Sequence, residues 1–248
     1  MYSIRSVLIF LTLLALSTQG FAQDDPKQLA RDYFDLAESS DQKNISIVLT
    51  HSTSYGLSNA VLSALMRVTL KLSLDQIGSD GATGEIVNRI YEELKLTLGA
   101  QDQLTLFYGT MNHRDRFLRF IHLGNSSGSS LIFHASRGKT FEKFIVQGPA
   151  ISKNSELDLN FKNLEGKIRL DSGDRLVFLS YGFFDGLGGE EGIMNLLNRF
   201  RERDSADLLN EIVFKIKSKL GEEDLPAQDC TVMIMDVEAP VLRLTKPN

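Results

Sequence analysis

The order of segments along the chain predicts an α+β fold with layered sheets. Short apolar strands come first and two helices follow. A long strand-rich middle then leads to two more helices, and one buried strand closes the chain. Two observations carry this reading. Runs of about five β-branched or aromatic residues recur between clusters of Ser, Asn, Asp and Gly, the pattern of antiparallel strands and turns. At Leu57, and again at Thr83, Ser205 and near Glu190, the apolar period shifts to three and four residues, the spacing of a helix face.

The chain has 248 residues, 42% of them hydrophobic, and a net charge of −5. Its start stands apart. Arg5 precedes the apolar run Val7–Leu16, and Ser17-Thr18-Gln19-Gly20-Phe21-Ala22 ends on a small-x-small pattern. This is the pattern of a secretory signal peptide over residues 1–22, with cleavage expected after Ala22. The apolar run is short for a membrane span, so no stable insertion is expected once the leader is cut. Cleavage takes one cation, Arg5, from the 27 and leaves the 32 acids, for a mature net charge of −6. Cations are scattered among acids, which argues against a nucleic-acid surface. Cys230 is the one cysteine, so no intrachain disulfide can form. The expected organisation is a leader (1–22), one domain (23–240) and a C-terminal tail (241–248), in a periplasmic or secreted protein.

The elements follow in order. Arg31–Leu36 reads as a strand, 39–44 as a turn, and Ile45–Leu49 as a buried strand. Thr50–Gly56 breaks the pattern with small polar residues. From Leu57 the positions Leu57, Ala60, Val61, Ala64, Leu65, Val68 and Leu72 mark the apolar face of a central helix, with Leu65 expected to be fully buried. Leu62, Met66 and Leu70 make other faces of this helix apolar as well. Thr83–Leu98 is a second helix stopped at Gly99. Leu104–Tyr108 and Phe117–Leu123 form a hairpin, and strands follow at 130–134, 141–146, 157–161, 167–170 and 175–181. Helices span 190–200 and 205–220, the latter capped by Ser205. Cys230–Val237 is the last strand.

Several motif-like stretches carry bland readings. His113-Arg114-Asp115 sits in a hairpin turn without a phosphate loop upstream. Gly186-Leu187-Gly188-Gly189-Glu190-Glu191-Gly192 places two glutamates where a pyrophosphate would lie, and reads as a helix entry with acids in its first turn. His51 and Ser52 are neighbours on an extended backbone and point apart, against a hydrolytic triad. The histidines at 51, 113, 122 and 134 show no metal-ligand spacing.

Taken as an ordered set, five segments resemble the PP2C-like (PPM) serine/threonine phosphatases, in the branch of the sporulation stage II E and sigma-factor-regulating enzymes. Arg31-Asp32-Tyr33-Phe34-Asp35 is similar to the family's G-D-Y-Y-D strand. Thr50–Gly56 with Leu57–Leu62 resembles its G-D-x-x-G-H-G turn and following helix. Leu106–Thr110 through Phe120–Asn125 is similar to its N-A-G-H hairpin, and Ser172–Gly182 to P-G-D-R-L-x-x-Y-T-D-G. Gln228-Asp229-Cys230-Thr231 stands where D-D-x-T opens the last strand. The resemblance implies a four-layer α-β-β-α sandwich of two antiparallel sheets, with helices 57–74 and 83–98 on one face and the later pair on the other.

The family's carboxylates hold two Mg²⁺ or Mn²⁺ ions, and this chain departs from that set. His51, Tyr181 and Gln228 stand at three carboxylate positions. Asp32 and Asp229 remain as vestigial metal positions. Tyr55, Gly56, Gly182 and Asp185 stand at the edge of the implied site. Neutral replacements relieve the repulsion of crowded carboxylates once the ion is gone. The expectation is an exported pseudophosphatase without catalytic residues or cofactor, binding an unidentified protein partner in the cell envelope. The alternative is a metal-dependent phosphatase with altered ligands: Mn²⁺ or Mg²⁺, or one softer ion such as Zn²⁺ among His51, Asp32 and Asp229.

Overall fold

Successive residues of the strand Asn44–Ser52 belong to two different cores. Val48 packs in one apolar cluster, while Ile47 and Leu49 pack in another. The same alternation runs through Gln103–Asn112, where Leu106 and Tyr108 face one way and Phe107 and Met111 the other. A strand buried on both faces must lie inside a layered structure, and its side chains alternate between the layers.

The computed structural model describes residues 9–16, 31–38, 44–54, 57–77, 83–112, 116–124, 129–146, 148–154, 161–220 and 228–238. In chain order the elements are β1 (Ile9–Leu16), β2 (Asp32–Glu38), β3 (Asn44–Ser52), α1 (Leu57–Ile77), α2 (Thr83–Lys95), β4 (Gln103–Asn112), β5 (Phe117–Leu123), β6 (Leu131–Ala135), β7 (Glu142–Lys143), β8 (Ile151–Ser152), α3 (Phe161–Leu164), β9 (Gly166–Arg169), β10 (Arg175–Leu179), α4 (Phe183–Leu187), α5 (Gly189–Arg199), α6 (Ser205–Leu220) and β11 (Cys230–Val237). One antiparallel sheet has the order β1-β11-β10-β6-β7. The other has the order β2-β3-β4-β5-β9, with β8 paired to β4.

Three cores fill the spaces between four layers. The inter-sheet core holds Ile47, Leu49, Phe107, Leu118 and Phe120 against Ile132, Leu176, Phe178, Met233 and Met235. α1 and α2 cover the outside of the β3–β4 sheet through Leu62, Met66, Leu70, Ile86, Ile90 and Leu94. α4, α5 and α6 cover the β10–β11 sheet through Phe183, Ile193, Leu197, Leu208 and Ile212. The expected α-β-β-α sandwich and its two helix groups are therefore present.

Several details differ from expectation. α1 turns Leu62, Met66, Leu70 and Leu74 to the sheet, while Val61, Val68 and Leu72 are exposed and Leu65 is only half-buried. Both stripes of α1 are apolar, so periodicity alone cannot say which one meets the sheet. β3 runs on through Thr50, His51 and Ser52 instead of turning at Thr50. α6 is capped by Asp204, whose Oδ1 accepts the Asp207 N–H at 2.7 Å, one residue before the expected Ser205. The strand expected at 141–146 shrinks to Glu142–Lys143, after which the chain leaves the sheet and exposes Ile145. A short helix, α4, precedes α5 and was not expected. Gly188 joins the two at φ +87°, a left-handed conformation that glycine adopts without strain.

Tyr55, Gly56, His113–Asp115, the tail 241–248 and all but the last residue of both the turn expected at 39–44 and the strand expected at 157–161 lie outside the described residues; Asn44 opens β3, and Phe161 opens the helix α3 instead of ending a strand. Residues 9–16 of the expected leader form β1, paired with β11. No described helix is long and apolar enough to cross a membrane.

Two consequences are measurable. Leu70→Ala should cost about 2–5 kcal/mol in urea melts, whereas Val68→Ala should stay within about 0.5 kcal/mol. Equal losses would show that α1 is rotated. His122 on β5 is buried and stands edge-on to Phe107, with ring centroids 5.8 Å apart. Burial, helped by the charge of Lys143, pulls its pKa down to about 4, against a hydrogen bond to the Ser130 backbone that acts upward. The unfolded chain binds the proton near pH 6.5, so this contribution to stability is present above that pH and is lost as pH falls toward 4. Wild-type stability should fall by up to about 3 kcal/mol across that window from this group alone. His122→Gln should show a flatter pH profile, and an unchanged slope would refute the assignment.

Candidate functional site

Both outer faces of the two sheets are covered by helices, so polar residues gather at the mouth of the inter-sheet layer. β2 and β3 pair antiparallel with Asp32 directly opposite His51. Opposed residues of an antiparallel pair share a face with Cβ atoms about 5 Å apart, so the register itself puts the two side chains in contact. His51 Nδ1 lies 2.8 Å from Asp32 Oδ1, and both side chains are almost wholly buried, at 7% and 3% exposure.

Asp229 comes from the other sheet, one residue before β11. Its Oδ2 accepts the Arg31 backbone N–H and, at 3.4 Å, that of Asp32. This carboxylate therefore ties the start of β2 to the start of β11 across the sandwich. Ser180, at the end of β10, fixes it from behind: its hydroxyl donates to the Asp229 carbonyl at 3.1 Å and accepts the Thr231 N–H at 2.9 Å. Gly182 is required here, because a Cβ at that position would lie 2.1 Å from the Asp229 carbonyl oxygen.

Of the residues singled out from the sequence, His51, Asp32 and Asp229 converge. Gly182 packs against the Asp229 backbone. The Gln228 carbonyl faces the Cys230 thiol, with sulfur and oxygen 3.6 Å apart. Tyr181 turns its ring onto Phe184, stacked at 5.1 Å. Asp185 is exposed on α4, and its carbonyl accepts Lys219 Nζ at 3.1 Å. Tyr55 and Gly56 lie outside the described residues. Sequence reasoning missed Ser180 and the Arg31 amide, which hold Asp229. Both contacts are long-range, and no local pattern announces them.

The centre is electronegative. Burial first, then the nearby charges of Asp32 and Asp229, push the Cys230 thiol up to about 12. Asp32 Oδ2 and Asp229 Oδ1 are buried without a hydrogen-bond partner. Such oxygens are what a cation takes up, yet the donors do not make a two-ion centre. Hard divalent cations need six or more oxygen-rich contacts. Here one Asp32 oxygen is taken by an imidazole and one Asp229 oxygen by backbone amides. Among the described residues, no three His, Cys, Asp or Glu side chains form a metal-binding group.

The family model for stage II sporulation protein E (SpoIIE) matches residues 41–238. The chain belongs to the SpoIIE family. No curated protein matches it at the level of sequence. Among solved structures, it is similar to the PP2C phosphatase domain with a fragment of the regulatory domain of SpoIIE from Bacillus subtilis, at 16% identity and TM-score 0.73, covering 96% of this chain and 66% of that one. It is similar as well to the RsbU and RsbW domains of a Mycobacterium tuberculosis protein, at 15% identity and TM-score 0.71, covering 96% and 63%. The SiaA PP2C domain of Pseudomonas aeruginosa matches at 16% identity and TM-score 0.68, covering 92% and 86%. The chain thus spans under two thirds of the first two of these structures, and the likeness shows a shared PP2C fold.

The His51–Asp32 contact is open to a mutant cycle. His51→Ala leaves a buried carboxylate without its partner and should cost about 3–5 kcal/mol. The double variant His51→Ala, Asp32→Ala should be less destabilised than the sum of the two single changes. Strict additivity in denaturant melts would mean that the pair is not coupled.

Proposed function

We propose that this SpoIIE-family chain is an exported, non-catalytic PP2C-fold domain that acts by binding a protein partner in the cell envelope. One observation carries the reading: an imidazole, His51, sits on the carboxylate of Asp32 where the family places metal-binding carboxylates. The replacements at Tyr181 and Gln228 point the same way, since Tyr181 spends its ring on Phe184 and neither residue brings a charge to the centre. The N-terminal basic–apolar–small pattern supports export, which separates the domain from cytoplasmic phosphoproteins.

The partnerless oxygens of Asp32 and Asp229 favour a second reading, a phosphatase that holds one cation between altered ligands. Thermal melts with and without Mn²⁺ separate the two. A ligand that binds only the native state raises stability by about 2.7 kcal/mol at a hundredfold excess over its Kd. The wild-type protein should melt at the same temperature with or without Mn²⁺ and should not hydrolyse a phosphoserine peptide. A Mn²⁺-dependent rise, accompanied by chelator-sensitive hydrolysis, would establish the second reading instead. The triple variant His51→Asp, Tyr181→Asp, Gln228→Asp should be less stable than wild type without metal, through repulsion among carboxylates. It should recover stability when Mn²⁺ is added. If the triple variant ignores Mn²⁺, these positions do not share a site.

A further inference from the structure

The outer edge of β11 is covered by β1, in unbroken antiparallel register from Ile9 opposite Val237 to Leu16 opposite Cys230. β1 lies wholly within the stretch that reads as a leader. The same residues therefore serve as a strand in the uncleaved chain and are lost in the exported one. What cleavage uncovers can be specified. The Val237 N–H donates to Asp174, and the Thr231 carbonyl accepts from Ser180, so Thr231, Met233, Met235 and Val237 direct their backbone groups to β10. Hydrogen-bonding direction alternates along an antiparallel strand. Val232, Ile234 and Asp236 thus turn their N–H and C=O groups outward, to the side that β1 covers.

An edge of this kind does not stay bare without protection. Natural edges are blunted by lysine, proline or a bulge. β11 reads Cys-Thr-Val-Met-Ile-Met-Asp-Val, with no lysine or proline, and pairs with β1 without a bulge. Its occupant must be an extended apolar strand, free of proline, that pairs antiparallel over about eight residues. β11 of a second copy meets each condition. A two-fold axis sets two identical edges antiparallel, and each supplies the donors and acceptors that the other lacks. The one charge on the strand, Asp236, is held within its own copy by Arg175, whose Nη2 lies 2.9 Å from Oδ2, so two copies bring no bare like charges together.

We infer that removal of residues 1–22 converts the β11 edge into a dimerisation strand, joining the β11-containing sheets of two copies of the mature chain into one. This rests on the export reading, and the test keeps the two apart. The protein is purified from cells that process it, its N-terminus is read by intact mass, and its molar mass is measured by light scattering at micromolar concentration. Hydrogen exchange then follows the amides of Val232, Ile234 and Asp236. The expected result is a chain starting at Gln23, a dimer, and slow exchange at those three amides. A lysine-flanked peptide with the sequence Ile9–Leu16, titrated in excess, should take the edge and convert dimer to monomer. A chain beginning at Met1 would overturn the inference together with the export reading. A monomeric chain starting at Gln23 would overturn the inference and leave export standing. A Gln23 dimer that exchanges these amides freely and ignores the peptide would place its interface elsewhere and would overturn the inference as well.

Discussion

Burial of both sheets on both faces is the constraint from which the rest of the molecule follows. A strand flanked by two cores cannot follow a strict apolar–polar alternation, so apolar residues fill successive positions in the middles of β3, β4, β10 and β11. The polar side chains of the candidate site stand at strand ends, where the layers open. Asp32 at the start of β2, His51 near the end of β3 and Asp229 just before β11 are such positions. A site assembled this way is held by sheet register rather than by loops, which keeps its geometry stiff. It also means that changing the chemistry of the centre need not disturb the fold, because the core residues beneath it are untouched.

Much of the architecture was legible because strands and helices differ in period, and turn residues mark the breaks. The strands at Cys230–Val237 and Phe117–Leu123 and the helix over 205–220 came directly from that contrast. What failed did so for identifiable reasons. α1 carries two apolar stripes, and the face toward the sheet is chosen by the complementarity of Leu62, Met66 and Leu70 to the sheet, which no helical wheel displays. The small polar residues Thr50, His51 and Ser52 looked like a turn, but they continue a strand whose backbone hydrogen bonds to β2 and β4 outweigh local propensity. The pairing of His51 with Asp32 could be expected once β2 and β3 were known to be neighbours. The tie between Asp229 and the Arg31 amide spans 198 residues and could not.

On the proposed reading, the centre is a charged site whose metal carboxylates have been replaced. Several carboxylates crowded together need cations to remain ionised. The centre holds Asp32 and Asp229, and protein donors meet part of their negative charge: the imidazole of His51 on one, and backbone amides on the other. A donor built into the chain is always present, whereas a metal ion comes and goes with concentration and chelators. The two oxygens still without a partner, Asp32 Oδ2 and Asp229 Oδ1, mark where this compensation is incomplete. They are the reason metal binding is the property to measure first.

Burial, with the same two carboxylates, determines the fate of the one thiol. Cys230 is fully buried at the start of β11, and burial with the adjacent negative charges raises its pKa to about 12. Thiolate is the reactive form of cysteine in oxidation and disulfide exchange. At neutral pH, a thiol with that pKa holds only about one part in 10⁵ as thiolate. A single cysteine would be a liability in an oxidising compartment if it were exposed and acidic. Placed behind Asp32 and Asp229, it is neither. Burial first, and the negative charge at the mouth of the sandwich second, therefore keep the thiol protonated.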